Sequence, residues 1–279
     1  MMLPALIPLA IVSLVPFGYI VWMSFSKVSL VGGVHMTWLG VDNWSKMFSD
    51  PNVLSSWKIS AVFFGATMLL EMVVGVGIAI LINEIIFARN IVLSVLLMPM
   101  FVAPVIVGLL GRFLTDSTFG LYTWGLSHLG IGTNILGHKS SAMATVIVMD
   151  VWEWTPLVML ITLAGLAAVP KALIEASSLD GATYFQRLRF VVLPSISGVV
   201  LVALLVRAMD AIRFFDIIWI TTNGGPADAT KVIPLRLYET AFRFFDLGYA
   251  AAIGLGMLAF SIIFANIFVS LLEKRGATR

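Results

Sequence analysis

The residues best suited to chemistry are charges embedded in apolar sequence. Asp150 and Glu153 interrupt the apolar run 142–168. Arg207, Asp210, Arg213 and Asp216 follow at i, i+3 steps with alternating sign. Residues at that spacing touch on a helix, so such neighbours neutralise one another. A charge at the centre of a bilayer costs about 2.5–3.5 kcal/mol on insertion scales, so it faces protein or water. One reading makes these residues the lining of a polar passage, with Glu153 and Trp154 on one helix facing Arg207 and Asp210 on another. The bland reading is intersubunit or intrahelical ion pairing, with Arg213 and Asp216 near the outer interface. A third makes Asp150, Glu153, Asp210 or Asp216 a proton carrier of an ion-coupled carrier or an intramembrane enzyme.

Other chemistries lack their motifs. There is no G-x-x-x-x-G-K-[ST] loop for nucleotide phosphates and no H-E-x-x-H. The three histidines, His35, His128 and His138, fall in connecting segments. No stretch resembles a nucleophile elbow. The absence of cysteine excludes disulfides, thiolate metal sites and a Cys nucleophile. The sequence therefore offers no catalytic residue and no metal site, and transport is the leading class.

The elements that position these residues are membrane spans. Of 279 residues, 60% are apolar and 11% charged, against about 25% charged in soluble domains. Mean hydropathy is +1.03. A bilayer core of about 30 Å needs roughly 20 apolar residues of helix. The low-charge runs predict an all-α polytopic membrane protein of six spans in a single transmembrane domain over 1–279. The spans fall at about 3–26, 59–83, 91–111, 142–167, 194–222 and 247–272, with a cytoplasmic loop at 168–193. Membrane lipid is thus one partner. A net charge of +2 argues against nucleic acid. Placing both termini in the cytoplasm puts seven Lys and Arg in 40 inner residues and eight in 86 outer ones, in the sense of the positive-inside bias. The first run is too long for a signal peptide and lacks a basic start, so it reads as a span. Its abrupt beginning at Leu3 leads to the expectation of a preceding tail. Pro99, Pro104, Pro156 and Pro194 mark bends or ends.

The inner loop 168–193 has an unusual pattern. Pro170 suits the start of a helix, Lys171–Leu179 holds good helix formers, and Gly181 suits a left-handed stop. Gln186 to Val192 then leads toward Pro194. Leu173 and Ile174, with Ser177 and Ser178, make a small ridge beside Glu175 and Asp180. A short projecting amphipathic helix is suited to a groove on a cytoplasmic partner. Arg187 and Arg189 have two readings, pairing with acids of a partner or obeying the positive-inside bias, and the second is favoured.

Three motifs carry a family resemblance. Glu175-Ala176-Ser177-Ser178-Leu179-Asp180-Gly181-Ala182 resembles the E-A-A-x-x-D-G-A signature of carbohydrate-branch permease subunits of ATP-binding-cassette (ABC) importers, with Ser177 in place of an Ala. Pro194 follows Glu175 by nineteen residues, as is usual there. Phe215-Asp216 followed by Thr221-Thr222-Asn223-Gly224-Gly225-Pro226 and Thr230 resembles a second stretch of the same branch. Trp38-Leu39-Gly40-Val41-Asp42-Asn43-Trp44 is similar to a third.

The resemblance implies the type I ABC importer permease fold with a cytoplasmic coupling helix, in a bacterial or archaeal inner membrane. It implies a second homologous permease subunit, two ATP-binding subunits that hold ATP and Mg, and an extracytoplasmic solute-binding protein. No cofactor would be bound by this chain. ATPase coupling would fall to Glu175, Ala176, Ser177, Leu179, Asp180, Gly181 and Ala182. Solute-contacting positions would fall on Glu153, Trp154, Leu157, Arg207 and Ala211, with Asp210 beside them. The implied cargo is a sugar or related polyol.

Overall fold

The structure is a computed structural model that describes residues 3–85, 87–130 and 134–276. The chain opens with helix α1 (Leu3–Ser24), strands β1 (Ser26–Ser29) and β2 (His35–Trp38), and helices α2 (Asp42–Ser49) and α3 (Pro51–Glu84). Then come α4 (Arg89–Leu97), a 3-10 turn (Met98–Phe101), α5 (Pro104–Leu114), α6 (Leu121–His128) and α7 (Lys139–Ala167). The inner loop holds α8 (Lys171–Leu179) and α9 (Tyr184–Arg187). A π-helical turn (Leu188–Val192) leads into α10 (Leu193–Ala211), followed by α11 (Asp216–Thr222), α12 (Ile233–Phe242) and α13 (Leu247–Gly276).

Five described helical stretches are long and apolar enough to cross a bilayer: Leu6–Ser24, Pro51–Glu84, Lys139–Ala167, Tyr184–Ala211 and Leu247–Ser270. The span expected at 91–111 is instead two helical pieces, Arg89–Phe101 and Pro104–Leu114, bent by 92°. The cause is local. Val102 and Ala103 are extended, with ψ of 132° and 138°. The Pro104 ring disfavours helix at the residue before it and is itself at home in the first turn of the next.

The span expected at 194–222 also differs. Its helix begins at Tyr184, inside the expected loop 168–193, and ends at Ala211. The N–H groups of Arg213 and Phe214 bond only three residues back, to Asp210 and Ala211. Phe215, at φ −147°, leaves the helical region, so Asp216 opens a separate helix. The span expected at 59–83 starts earlier, because Pro51 fits a first turn and the Asp50 carboxylate accepts the Asn52 N–H at 2.8 Å.

The chain packs as two compact units. One comprises the described residues up to Ser60 and Lys231–Phe264. Its hairpin pairs Ser26 with Trp38 and Ser29 with His35, antiparallel. Buried Asn43 donates to the carbonyls of Ser24 and Ser26, each at 3.0 Å, tying α2 to the junction of α1 and β1. The core is Met47, Val53, Ile233, Tyr249 and Ile253. Gly248 admits no side chain, since a Cβ would stand 2.1 Å from the Ser26 carbonyl oxygen.

The other unit comprises Ala61–Thr230 and Ala265 onward. Its core joins Ala79 and Ile82 of α3, Met159, Leu163 and Leu166 of α7, and Ile196 of α10. Small residues let membrane helices approach closely. A Cβ at Gly108 would lie 2.9 Å from the Ile220 Cβ, so α5 and α11 are in tight contact, and Thr221 Oγ1 donates to the Gly108 carbonyl at 3.1 Å. The Gly-Gly-Pro stretch is a closed turn after α11: Thr230 Oγ1 bonds Thr222 Oγ1 at 2.7 Å and the Gly225 carbonyl at 2.9 Å.

Candidate functional site

Two places in the second unit hold the residues singled out by sequence. The first is a buried charge cluster on α3, α7 and α10. Arg207 is fully buried. Its guanidinium meets Glu71 at 2.9 Å through Nε and Asp150 at 2.5 Å through Nη2, and both carboxylate side chains are fully buried. Nη1 meets Asp210 at 3.3 Å, and the other Asp210 oxygen meets Arg213 at 3.5 Å. The Arg207 Cζ also lies 5.1 Å from the centre of the Trp154 ring.

Sequence spacing pairs Arg207 with Asp210 alone. The structure keeps that pair and subordinates it to contacts with Glu71 and Asp150, at 136 and 57 residues' distance in the chain. Arg207 thus faces protein carboxylates from three helices. Glu71 was legible only as the single charge in an otherwise charge-free run, 59–83. Of the four carboxylates named in the proton-carrier reading, Asp150 and Asp210 are engaged by arginine.

The remaining pathway residues fall nearby on α7 and α10. Glu153 is 1% exposed and Ala211 is 4% exposed, whereas Trp154 and Leu157 are half-buried. Among the described residues, Glu153 Oε2, Asp150 Oδ1, Trp154 Nε1 and Thr155 Oγ1 have no hydrogen-bond partner. Buried polar atoms are nearly always satisfied, so this row of spare donors and acceptors along α7 is unusual. Asp216 stands apart, in the first turn of α11, where the helix dipole favours an acid. No group of three or more His, Asp or Glu among the described residues is arranged to hold a metal ion.

The second place is the inner loop. Helix α8 ends in a Schellman motif: the Gly181 N–H bonds the Ser178 carbonyl and the Ala182 N–H bonds the Ser177 carbonyl, each at 3.1 Å. Gly181 has φ +76°, which a side chain makes costly. Thr183 and Gln186 form a reciprocal capping box that starts α9. Glu175, Ala176, Leu179, Asp180 and Gly181 are exposed, Leu179 at 90%, while Ser177 and Ala182 are half-buried. Ile174 turns inward, lining a cavity of about 180 Å³ with Asn83, Glu84, Leu166 and Arg187. So α8 presents one polar and apolar face outward and packs against α9 and the π-helical turn, with Ile174 facing a cavity shared with the ends of α3 and α7.

Residues 71–277 match the family model described as "Binding-protein-dependent transport system inner membrane component". The chain is 32% identical over 274 residues to the trehalose/maltose transport system permease protein MalF of Thermococcus litoralis, covering 97% of this chain and 91% of that one. It is 31% identical to the sn-glycerol-3-phosphate transport system permease protein UgpA of Yersinia pestis, covering 90% and 85%. Among solved structures, a chain of a bacterial ABC transporter involved in the import of alginate superposes with TM-score 0.85 at 22% identity, covering 98% of this chain and 94% of that one.

Proposed function

The chain belongs to the carbohydrate-type permeases of binding-protein-dependent ABC importers, and from that membership we propose its cargo and its moving parts. It is a multi-pass inner membrane subunit that transports and does not catalyse. Its cargo is a sugar or related polyol, handed over by the extracytoplasmic binding protein. It pairs with a second homologous permease, and two ATP-binding subunits carrying ATP and Mg sit below. Both termini are cytoplasmic, in keeping with the denser Lys and Arg of the segments on that side.

The observation that carries the coupling reading is α8. It is a nine-residue helix with a closed C-terminal cap, packed against α9 and the π-helical turn and exposing Glu175, Leu179 and Asp180. A lever needs that combination of internal rigidity and an outward face. Glu175, Ala176, Ser177, Leu179, Asp180, Gly181 and Ala182 seat in the ATPase groove and pass its closure to α7 and α10.

A neutral cargo is supported by the charge cluster. Glu71, Asp150, Glu153 and Asp210 outnumber Arg207 and Arg213, and every terminal nitrogen of Arg207 that finds a partner finds a carboxylate. Among the described residues of this cluster, both Arg207 and Arg213 are paired with carboxylates, which disfavours a phosphate or a uronate. The spare acceptors of Glu153 and Asp150 and the spare donor of Trp154 suit hydroxyl groups. The solute therefore passes Glu153, Trp154, Leu157, Asp210 and Ala211, with Arg207 holding the wall from behind.

Affinity purification of the tagged chain from its host tests this. A second permease, a P-loop ATPase and a sugar-type binding protein should come with it. Liposomes carrying that complex should take up radiolabelled trehalose or maltose with ATP and should refuse glycerol 3-phosphate. A chain that purifies alone and moves solute without ATP overturns the reading.

A further inference from the structure

Sequence spacing leaves Arg187 as one of several inner-face positive charges. Its geometry is more specific. Arg187 Nη1 donates to Ser178 Oγ at 2.6 Å, and that hydroxyl donates onward to the Ile174 carbonyl at 2.8 Å. The Ser178 hydroxyl is thus used as donor and acceptor at once, and it joins the last turn of α8 to the last residue of α9. The guanidinium also lies 5.9 Å from the centre of the Tyr184 ring. With the Schellman bonds on the other side of Gly181, the helix pair is closed at both its bend and its flank.

The position of Arg187 in the chain gives this link a mechanical meaning. The residue directly precedes the π-helical turn Leu188–Val192, and the helix runs unbroken from there into α10. α8 is joined to α7 through Ala168–Pro170 and meets the π-helical turn directly, and the Arg187–Ser178 bond adds a side-chain tie across the Asp180–Thr183 bend, where Gly181 is the pivot. With that tie, force applied to α8 enters α9 and then α10, which carries Arg207.

We propose that Arg187 is a positioning residue, a strut that makes α8 and α10 move as one body, with Ser178 as its seat. The proposal rests on the coupling reading of α8, but its test reads a distance inside this chain. That test therefore has an answer even if the ATPase docks elsewhere. The strut acts through geometry and not through charge, which separates it from a topogenic role: positive-inside bias is indifferent to Ser178 and is satisfied by lysine.

The native chain has no cysteine, so a labelled pair in it is unambiguous. Ala172 on α8 is exposed, and a Cβ at Gly198 on α10 meets nothing within 4 Å. Spin labels at Ala172→Cys and Gly198→Cys, in the complex purified from its host, report the α8–α10 separation by electron–electron dipolar spectroscopy. The expected result is a narrow distribution that keeps its width and centre when ATP and vanadate are added. S178A and R187Q should each broaden it, the double variant should be no broader than either single one, and S178T, which keeps the hydroxyl, should restore it. R187K, which keeps the charge but loses the planar fork, should broaden it. Equal widths in the parent, S178A and R187Q overturn the strut, as do additive effects of the two changes. A narrow R187K with a broad R187Q also overturns it, because charge alone would then suffice. The coupling reading stands or falls separately, on whether the ATPase still co-purifies with Gly181→Val.

Discussion

Replacing Arg207 with methionine is the sharpest perturbation of the charge cluster. The substitution keeps the unbranched stem and removes the only cation among the described residues in contact with Glu71 and Asp150, whose side chains are fully buried. Removing one partner of a buried ion pair costs about 3–5 kcal/mol, because the other charge stays buried without compensation. At about 1.4 kcal/mol per tenfold, the folded population drops by roughly two to three and a half decades. On the usual scale for chains above 150 residues, about 2–4 °C per kcal/mol, the melting point falls by about 6–20 °C. The assay is thermal unfolding of the detergent-purified complex, followed by size-exclusion recovery after heating. The same reasoning fixes a rescue. The triple variant E71Q/D150N/R207M removes all three charges, and replacing a whole buried pair by neutral groups is often close to neutral. It should regain most of the lost melting temperature, while E71Q alone should cost less than R207M, since Arg207 keeps Asp150 and Asp210. An R207M protein that melts within about a degree of the parent, or a triple variant as unstable as R207M, refutes the assignment of Arg207 as the hub of three helices.

Gly181→Val forces a β-branched residue to φ +76° and costs about 1–2 kcal/mol locally; it should lose the co-purifying ATPase while the chain still inserts in the membrane. Asn43→Ala leaves the Ser24 and Ser26 carbonyls without their buried donor and should destabilise by about 1–3 kcal/mol, read as a lower melting temperature with unchanged insertion. Burial pushes the Asp50 carboxyl up, but the Asn52 N–H and Tyr249 O–H at 2.8 and 2.9 Å outweigh it and hold the group below its ordinary value. A depressed carboxylate stabilises the fold above its unfolded pKa and loses that contribution as pH falls through its folded one. Parent and Asp50→Asn should therefore differ most in melting temperature near neutrality, and the gap should close below about pH 4; a gap that is constant with pH would refute it.

Much of the architecture is legible in the order of residues because it rests on local rules. Long charge-free runs must be helices in lipid, since every backbone polar group there needs an internal partner. Pro170, the Lys171–Leu179 helix formers and Gly181 describe α8 and its stop without reference to any other part of the chain. The Gly-Gly-Pro stretch likewise closes on itself, through Thr222 and Thr230. The bend in the third span was foreshadowed by Pro99 and Pro104, but its 92° angle was not, because a proline licenses a break without setting its direction. The end of α10 at Ala211 was illegible for a similar reason. Phe214 and Phe215 are apolar and continue the hydropathy pattern, and only their packing decides that the helix stops before them.

The partners of Arg207 mark the boundary between the two kinds of information. Spacing along one helix names Asp210, since i, i+3 neighbours meet whatever surrounds them. It says nothing of Glu71 or Asp150, which reach the guanidinium only once α3, α7 and α10 pack together. The same holds for Arg187, whose charge is read from composition but whose acceptor, Ser178, is supplied by a reversal at Gly181 that brings two helices side by side. Family, spans and the α8 helix with its stop are written in runs and short motifs. Which charges face each other across helices is set by the tertiary fold, because in lipid a buried ion must find its counter-ion wherever packing has carried it.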